Sequence, residues 1–270
     1  MSDKGTINLK TPAKLNPKLE EILLLIYRFR FLTTSQIQIL LNHKYHSRIN
    51  LWLNQLTTKK YLKRYYDLKF AGEPALYSLG TAGRKYFKTH QEIKGIKASL
   101  LDRVWTEYRN SLQFKRHCLL LADIYISLLG LTSKAKAKLG FYSKVDLFGM
   151  KFMVLPEPSG YFSLEDQNGV TKRYFLDIFD YFVPKDLFRR IKKYLYYFEK
   201  RYWQDHTDKP FPEIILVCPN KAARTYLEKT IKGNLEDKDF SLSFYLGLQE
   251  EIKAKGLIPE TLHKVQLYSN

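Results

Sequence analysis

Apolar positions in the first third of the chain recur at helical spacing in three consecutive segments. Residues 19–29 predict a first helix with acidic residues in its opening turn, as the helix dipole favours. Residues 34–41 predict a shorter second helix, for which Thr33 or Thr34 is a suitable N-cap. Residues 46–62 predict a third helix.

The third predicted helix has two chemically different faces. Ile49, Leu53, Leu56 and Leu62 form an apolar stripe, and the remaining positions are largely polar or basic. A helix that packs on one side and presents Arg and Asn on the other is what a reader of the DNA major groove requires. We therefore predict double-stranded DNA as the partner, with these contacts: Ser47, Arg48, Asn50, Asn54, Lys59, Lys60, Lys63, Arg64 and Lys69. The alternative is the ordinary solvated face of a protein-binding domain.

Two tyrosine-rich segments follow the third helix. Residues 63–70 and 75–79 flank a Gly/Pro turn, which predicts a hairpin. Three helices followed by a hairpin is the order of a winged helix-turn-helix. We expect a flexible basic arm at 1–17, a winged-helix domain at 18–95, and a helical linker plus an α/β domain at 96–270, so the fold class is α+β or α/β.

The positive charge lies mainly in the N-terminal part of the chain. The net charge is +18, and residues 1–95 hold 17 Lys/Arg against 6 Asp/Glu, whereas residues 151–270 hold 19 against 17. An excess of cations in the same segment as the two-faced helix is typical of a phosphate-binding surface. No basic amphipathic helix favours a membrane surface instead.

Two further features bear on the cellular setting. Cys118 and Cys218 each lie in an apolar run, which predicts buried free thiols and a reducing compartment. The N-terminus has no apolar signal core, and no apolar run is expected to approach membrane-spanning length. We therefore expect a soluble, cytoplasmic protein.

The second domain alternates short strands with polar turns. Strands are predicted near 139–146, 151–155, 160–165, 173–180, 213–218 and 242–247, and helices near 185–203, 220–232 and 248–255. Glu157, Asp177 and Asp180 lie at predicted strand ends, where metal-dependent nucleases hold Mg²⁺. Such a site usually adds a lysine two residues beyond the second acid, but Phe179 stands there, so solvent-facing carboxylates are the favoured interpretation.

Several motifs, in this order, resemble the replication-relaxation family of plasmid and mobile-element proteins. They are Arg28-Phe29-Arg30-Phe31-Leu32-Thr33-Thr34, Leu76-Tyr77-Ser78-Leu79-Gly80-Thr81-Ala82-Gly83, Arg116-His117, Pro158-Ser159-Gly160-Tyr161-Phe162, Phe175-Leu176-Asp177, and the helix around Tyr194 before Pro212-Glu213-Ile214-Ile215-Leu216-Val217. The resemblance implies an N-terminal winged helix and a restriction-endonuclease-like C-terminal domain.

The chain departs from this family at the expected metal site. Ser159 stands where the family commonly has Asp, and Asp177-Ile178-Phe179 stands where it commonly has Glu-x-Asp. We therefore expect a non-enzymatic, sequence-specific DNA-binding accessory protein without cofactors. We also expect a homodimer, with a replication or mobilisation protein as a possible partner. The alternatives are a transcriptional repressor of the same element and an active Mg²⁺-dependent nuclease.

Overall fold

The computed structural model describes residues 14–65, 74–90, 92–93, 95–104, 111–235 and 242–266. The chain divides into two compact units, Met1–Asn110 and Ser111–Asn270. The helix at 98–104, which the sequence places in the helical linker, therefore belongs to the first unit. Most of the expected basic arm lies outside the described residues.

The first unit contains five helices and three short strands in its described part. In chain order they are α1 (Pro17–Phe29), β1 (Leu32–Thr33), α2 (Thr34–Leu40), α3 (His46–Thr58), β2 (Leu62–Tyr65), β3 (Leu76–Leu79), α4 (Thr81–Thr89) and α5 (Ala98–Val104). The strands form one antiparallel sheet in the order β1-β3-β2, so β2 is an edge strand.

Local side-chain bonds fix where the first two helices begin. Asn16 caps α1 by accepting a hydrogen bond from the Lys18 amide. Thr33 and Gln36 form a reciprocal capping box at the start of α2, in which each side chain accepts from the backbone of the other. Both residues are buried, so these bonds also satisfy backbone groups that water does not reach. The prediction of a threonine N-cap is confirmed at Thr33.

The third helix is shorter than predicted. It ends at Thr58, and Lys60 adopts a left-handed backbone conformation (φ 58°) that turns the chain into β2. Leu62 is buried as the first residue of β2 rather than as part of the helical stripe. Apolar spacing alone does not distinguish the two placements, because Leu62 reaches the same core from either element.

Two glycines allow α4 to begin directly against the turn between α3 and β2. A β-carbon at Gly80 would clash with the carbonyl oxygen of Lys60, and one at Gly83 would clash with that of Tyr61. The backbone there is also bonded, since the Gly80 amide donates to Tyr61 and the Ala82 amide donates to Lys60. The glycines are therefore required by close approach and not by an unusual φ.

The second unit is built on one six-stranded mixed sheet. Its described elements are α6 (Leu112–Ala135), β4 (Lys138–Ser143), α7 (Lys144–Leu147), β5 (Gly160–Glu165), β6 (Thr171–Ile178), α8 (Pro184–Glu199), α9 (Tyr202–Thr207), β7 (Glu213–Cys218), α10 (Lys221–Leu235), β8 (Phe244–Leu248), α11 (Gln249–Lys255), a 3-10 turn (Pro259–Thr261) and β9 (Leu262–Lys264).

The strands lie in the sheet in chain order, β4-β5-β6-β7-β8-β9. The first three are antiparallel neighbours, β6, β7 and β8 are parallel, and β9 returns antiparallel to β8. Helices α8 and α9 therefore make the crossover between β6 and β7, and α10 makes the next one. The apolar side chains of β6, β7 and β8 pack with α8 and α10 in the core of this unit.

The strands of the second unit differ from the prediction in three places. The strand predicted at 139–146 ends at Ser143, where helix α7 begins. Residues 151–155 form no strand, although Met153 and Val154 are buried in the core from an irregular segment. Their apolar run reflects burial and not strand pairing, since Pro156 and Pro158 follow at once. The short strand β9 was not predicted, because His263 and Lys264 are exposed and give it no apolar alternation.

The longest helix of the second unit corrects an expectation about apolar runs. By length and composition, α6 is able to cross a membrane. One such helix is weak evidence, because core helices of folded domains pass the same test. One side of α6, which includes Leu121, Ile124 and Leu128, is buried. Both cysteines are buried free thiols as predicted, and burial raises the pKa of Cys218 to about 12.

The close contact between α4 and the α3–β2 turn predicts that one added methyl group lowers the free energy of unfolding at Gly83 but not at a glycine with open space around it. We expect Gly83→Ala to destabilise the first unit by about 1–3 kcal/mol, because the backbone of Tyr61 must move. Gly130→Ala is the matched control: Gly130 lies in α6 with open space around its added β-carbon, so alanine should stabilise that helix by about 0.5–1 kcal/mol. Urea unfolding measures both, and equal effects of the two substitutions would contradict the close-approach explanation.

Candidate nucleic-acid interface and the Asp177 site

Helix α3 has one buried and one exposed face. Ile49, Leu53 and Leu56 are at most 1% exposed and hold it to the core of the first unit. The predicted contact residues on the helix, Ser47, Arg48, Asn50 and Asn54, are all exposed. The structure therefore brings these four side chains to one element with its apolar side covered, leaving the polar side available.

A glutamine of α2 fixes the turn into α3. The Gln38 side-chain amide donates to the carbonyl oxygens of His43 and Lys44, at 3.1 and 3.3 Å, and its oxygen lies 2.9 Å from Nδ1 of His46. The His43 ring packs edge-on against Trp52 of α3, with 5.1 Å between ring centroids. His43 and His46 therefore help to order the turn that joins α2 and α3.

Sequence reasoning missed two residues on the exposed face of α3. Leu51 is 55% exposed and Gln55 is exposed. Leu51 follows Ser47 by four residues and precedes Asn54 by three, so the three share one helix face. The sequence signal for Leu51 is an apolar residue among polar ones, outside the stripe of Ile49, Leu53 and Leu56.

The remaining predicted contacts lie after the helix. Lys59 and Lys60 are exposed in the turn between α3 and β2 rather than on the helix. Lys63 and Arg64 are exposed on the edge strand β2, and successive strand residues leave on opposite faces. The Lys63 ammonium lies 5.1 Å from the ring centre of Tyr65. Lys69 lies outside the described residues.

In the second unit, the candidate metal ligand Asp177 is buried and fully engaged. It lies on β6, and Arg190 of α8 donates to both carboxylate oxygens, from Nε at 2.5 Å and from Nη2 at 3.2 Å. The Tyr194 hydroxyl donates to Oδ2 at 2.7 Å, and the Ser159 amide donates to Oδ1 at 3.3 Å. Arg190 also donates to the carbonyl oxygen of Pro156 at 2.6 Å.

Electrostatics in this buried cluster favour the ion pair. Burial opposes the charge of Arg190, but the carboxylate of Asp177 outweighs it and raises the pKa of Arg190 above its ordinary value. Burial, with Asp177 as a further contribution, raises the pKa of Tyr194 well above its ordinary value, so the hydroxyl stays protonated and donates. With Arg190 charged and Tyr194 protonated, each oxygen of Asp177 accepts two hydrogen bonds. Oδ1 accepts from Ser159 and Arg190, and Oδ2 accepts from Arg190 and Tyr194.

The other two acidic candidates do not complete a metal site. Glu157 lies in the irregular segment before β5, and Asp180 lies after β6, where its carboxylate is 2.9 Å from Nδ1 of His117. Across the ranges that the structure describes, no three His, Cys, Asp or Glu side chains are grouped to hold a metal ion. Mg²⁺ therefore does not fit here, because the donors around Asp177 occupy the positions that a cation would need.

Comparison with known protein families identifies the family of this chain. The family model described as replication-relaxation matches residues 23–214, which run from α1 to the second residue of β7. The chain belongs to the replication-relaxation family. No curated protein and no solved structure matches the chain.

The motifs of this replication-relaxation protein have structural roles. Thr33 is the α2 cap, Gly80 and Gly83 allow α4 to approach the α3–β2 turn, and Ser159 accepts a hydrogen bond on Oγ from the Ile178 amide at 3.1 Å. Ser159 thus joins the segment before β5 to β6. Membership suggests a role in plasmid or mobile-element replication or relaxation.

Sequence reasoning missed Arg190 as the partner of Asp177. In the sequence it is one of several cations between Arg189 and Lys193 and reads as surface charge. The signal was its position: it follows Leu187 by three residues and precedes Tyr194 by four, on the apolar side of α8.

The cluster around Asp177 predicts that the neighbouring residues Arg189 and Arg190 contribute very differently to the stability of the second unit. We expect Arg190→Met to destabilise the second unit by about 3–5 kcal/mol, because it leaves the Asp177 carboxylate buried without its cation. The control is Arg189→Met, which removes an exposed cation whose pair with Asp186 spans 3.8 Å and should cost less than about 1 kcal/mol. In urea unfolding, Asp177→Leu combined with Arg190→Met should lose less stability than the sum of the two single changes. Additive losses, or equal effects of the two arginines, would refute the coupled pair.

Proposed function

We propose that this replication-relaxation protein is a sequence-specific double-stranded-DNA-binding accessory protein of a plasmid or mobile element. The observation that carries the proposal is α3, whose apolar side is buried while Ser47, Arg48, Asn50 and Asn54 are exposed. Arginine and asparagine are the side chains that pair bidentately with guanine and adenine in the major groove.

The order of elements supports a winged helix-turn-helix in the first unit. Helices α1, α2 and α3 are followed by the antiparallel pair β2 and β3, and α2 and α3 are joined by a short turn held by Gln38. In this arrangement α3 enters the major groove, and β2 carries Lys63 and Arg64 to the flanking backbone. The cations of residues 1–95 then supply affinity that does not depend on sequence.

We infer that the second unit has a restriction-endonuclease-like fold and serves binding or docking, without cutting DNA. The supporting topology is a helix, three antiparallel strands, a crossover helix and a parallel strand. The carboxylate that would hold Mg²⁺, Asp177, is instead an acceptor for Arg190 and Tyr194. The energy of that ion pair would have to be given up before Asp177 could bind a cation.

The proposed function also implies binding partners and a cellular compartment for the protein. A homodimer would match two half-sites of a palindromic target, and a replication or mobilisation protein would be recruited to the bound DNA. The buried free thiols Cys118 and Cys218 suit the reducing cytoplasm, where the DNA of such an element lies. Repression of a promoter would use the same contacts at a different target.

Two substitutions should separate base reading from phosphate binding. We expect Arg48→Ala to weaken binding to the cognate site by about 1–3 kcal/mol and to leave non-specific binding nearly unchanged, because it removes a base contact. Lys63→Ala should weaken binding to all duplexes alike and reduce the slope of log K against log salt by about 0.9, because one phosphate contact is lost. Selection of bound genomic fragments followed by salt titration measures both.

The control for these variants is Lys18→Ala. Lys18 is an exposed lysine of α1, and its ammonium lies 2.8 Å from the carboxylate of Glu21. Its substitution removes one positive charge, as the other two variants do, but from a different element. Unchanged affinity in both Arg48→Ala and Lys63→Ala, or an equal loss in Lys18→Ala, would refute the docking of α3 and β2.

A second test concerns chemistry at Asp177. We expect no nicking of supercoiled plasmid in the presence of Mg²⁺, because the oxygens of Asp177 are occupied by Arg190, Tyr194 and the Ser159 amide. Gel electrophoresis over a time course measures it. Nicking by the unaltered protein that disappears in Asp177→Asn, with the fold retained by circular dichroism, would establish a nuclease and overturn the binding role.

A further inference from the structure

The outer side of α8 and the start of α9 carry exposed aromatic rings among lysines. Phe188, Tyr196 and Tyr202 are 40%, 47% and 41% exposed, and Lys192 and Lys200 are exposed beside them. Phe188, Lys192 and Tyr196 of α8 and the C-cap residue Lys200 follow at intervals of four residues, so they form one row along the helix. We refer to these five residues as the aromatic–basic face.

Each exposed ring of α8 in this face has a lysine next to it. The Lys192 ammonium lies 5.5 Å from the ring centre of Phe188, and the Lys200 ammonium lies 6.0 Å from that of Tyr196. The rings of Tyr196 and Tyr202 are 6.2 Å apart. In the described part of the chain, the ion pairs of this segment join Arg189 to Asp186 and Arg201 to Asp205, and neither pair includes Lys192 or Lys200.

The charge of this segment differs from that of the chain around it. Residues 184–202 hold 7 Lys/Arg against 2 Asp/Glu, whereas the rest of residues 151–270 holds 12 against 15. Arg190 is buried in the Asp177 cluster, but the other cations of the segment are exposed. A positive surface therefore stands out on an otherwise slightly acidic part of the chain, and its complement is a polyanion.

The helix that presents this face is held firmly to the sheet. Its inner side buries Leu187, Ile191 and Leu195 in the core, and Arg190 and Tyr194 bind Asp177 of β6. The outer rings are therefore displayed on a fixed element. The inner apolar side is not free to turn outward and enter a lipid layer.

We propose that the aromatic–basic face binds single-stranded DNA. Unpaired bases stack on the rings of Phe188 and Tyr196, and Lys192 and Lys200 contact the phosphates between them. The two ring positions are eight residues apart on α8, which separates them by about 12 Å along the axis, so they meet different bases of an extended strand. Base stacking on aromatic side chains combined with lysine contacts to the backbone is the physical basis of sequence-tolerant single-strand binding.

Single-stranded DNA accounts for the rings as well as the charges. A duplex keeps its base faces stacked inside the helix, so a duplex would use the lysines and leave the exposed rings without a role. An acidic protein surface would likewise bind to the lysines and would not require the exposed rings. This surface lies in the second unit and does not depend on duplex binding by α3.

The test uses the full-length chain and a fluorescein-labelled oligodeoxythymidine of about 20 nucleotides, long enough for several stacked bases. We expect fluorescence anisotropy to show that Tyr196→Ala and Phe188→Ala each weaken binding by roughly tenfold, because one stacking contact is lost. Tyr196→Phe is the matched control, since it keeps the ring and should bind nearly as tightly as the unaltered chain. Because both rings are exposed, neither alanine substitution should change the thermal unfolding temperature of the protein.

The lysines give a separate signature. Lys192→Ala should reduce the slope of log K against log salt by about 0.7, the value for one phosphate contact on a single strand. Photo-crosslinking to an oligonucleotide that carries 5-iodouracil, followed by peptide mass spectrometry, should place the crosslink in the segment 185–202. A crosslink confined to the first unit would overturn the proposal.

Comparison with duplex binding separates this proposal from the function proposed for α3. We expect Tyr196→Ala to impair single-strand binding alone and Arg48→Ala to impair cognate duplex binding alone. Single-strand affinity that is unaffected by Tyr196→Ala and Phe188→Ala would refute the face as a binding site. Equal losses in Tyr196→Ala and Tyr196→Phe would refute stacking. Binding to phosphatidylserine vesicles that the oligonucleotide does not displace would assign the face to a membrane surface instead.

Discussion

The buried pair of Asp177 and Arg190 connects three parts of the second unit that are distant in sequence. Asp177 belongs to β6, Arg190 to α8, and the carbonyl oxygen of Pro156 and the amide of Ser159 to the segment before β5. Removing two charges from water is costly, and that cost is offset only when every donor and acceptor is satisfied. The cluster meets this condition, so the loss of one partner would leave the others buried without their hydrogen bonds and destabilise the second unit.

This ion pair also explains why Asp177 is not available as a metal ligand. Both of its carboxylate oxygens accept hydrogen bonds from side chains of α8. Because the same pair anchors α8, the helix presents its outer side as a fixed surface for the proposed contact with single-stranded DNA.

The sequence predicts the first unit better than the second because its signals there are local. Apolar spacing locates α1, α2 and α3, and the Thr33 cap follows from residue chemistry. In the second unit the informative contacts join residues far apart in sequence. Asp177 and Arg190 are 13 positions apart in the sequence, which conceals their pairing. The buried run around Met153 resembles a strand although it has no strand partner.

The two glycines at the start of α4 have a consequence for the proposed binding of DNA. Because Gly80 and Gly83 let α4 rest on the backbone of Lys60 and Tyr61, the loop that carries Lys59 and Lys60 is braced from behind. A loop already held in one conformation loses little backbone freedom when it meets a ligand. The absence of two β-carbons would thus lower the entropic cost of the proposed DNA contact by Lys59 and Lys60, because Gly80 lies directly against the backbone of Lys60.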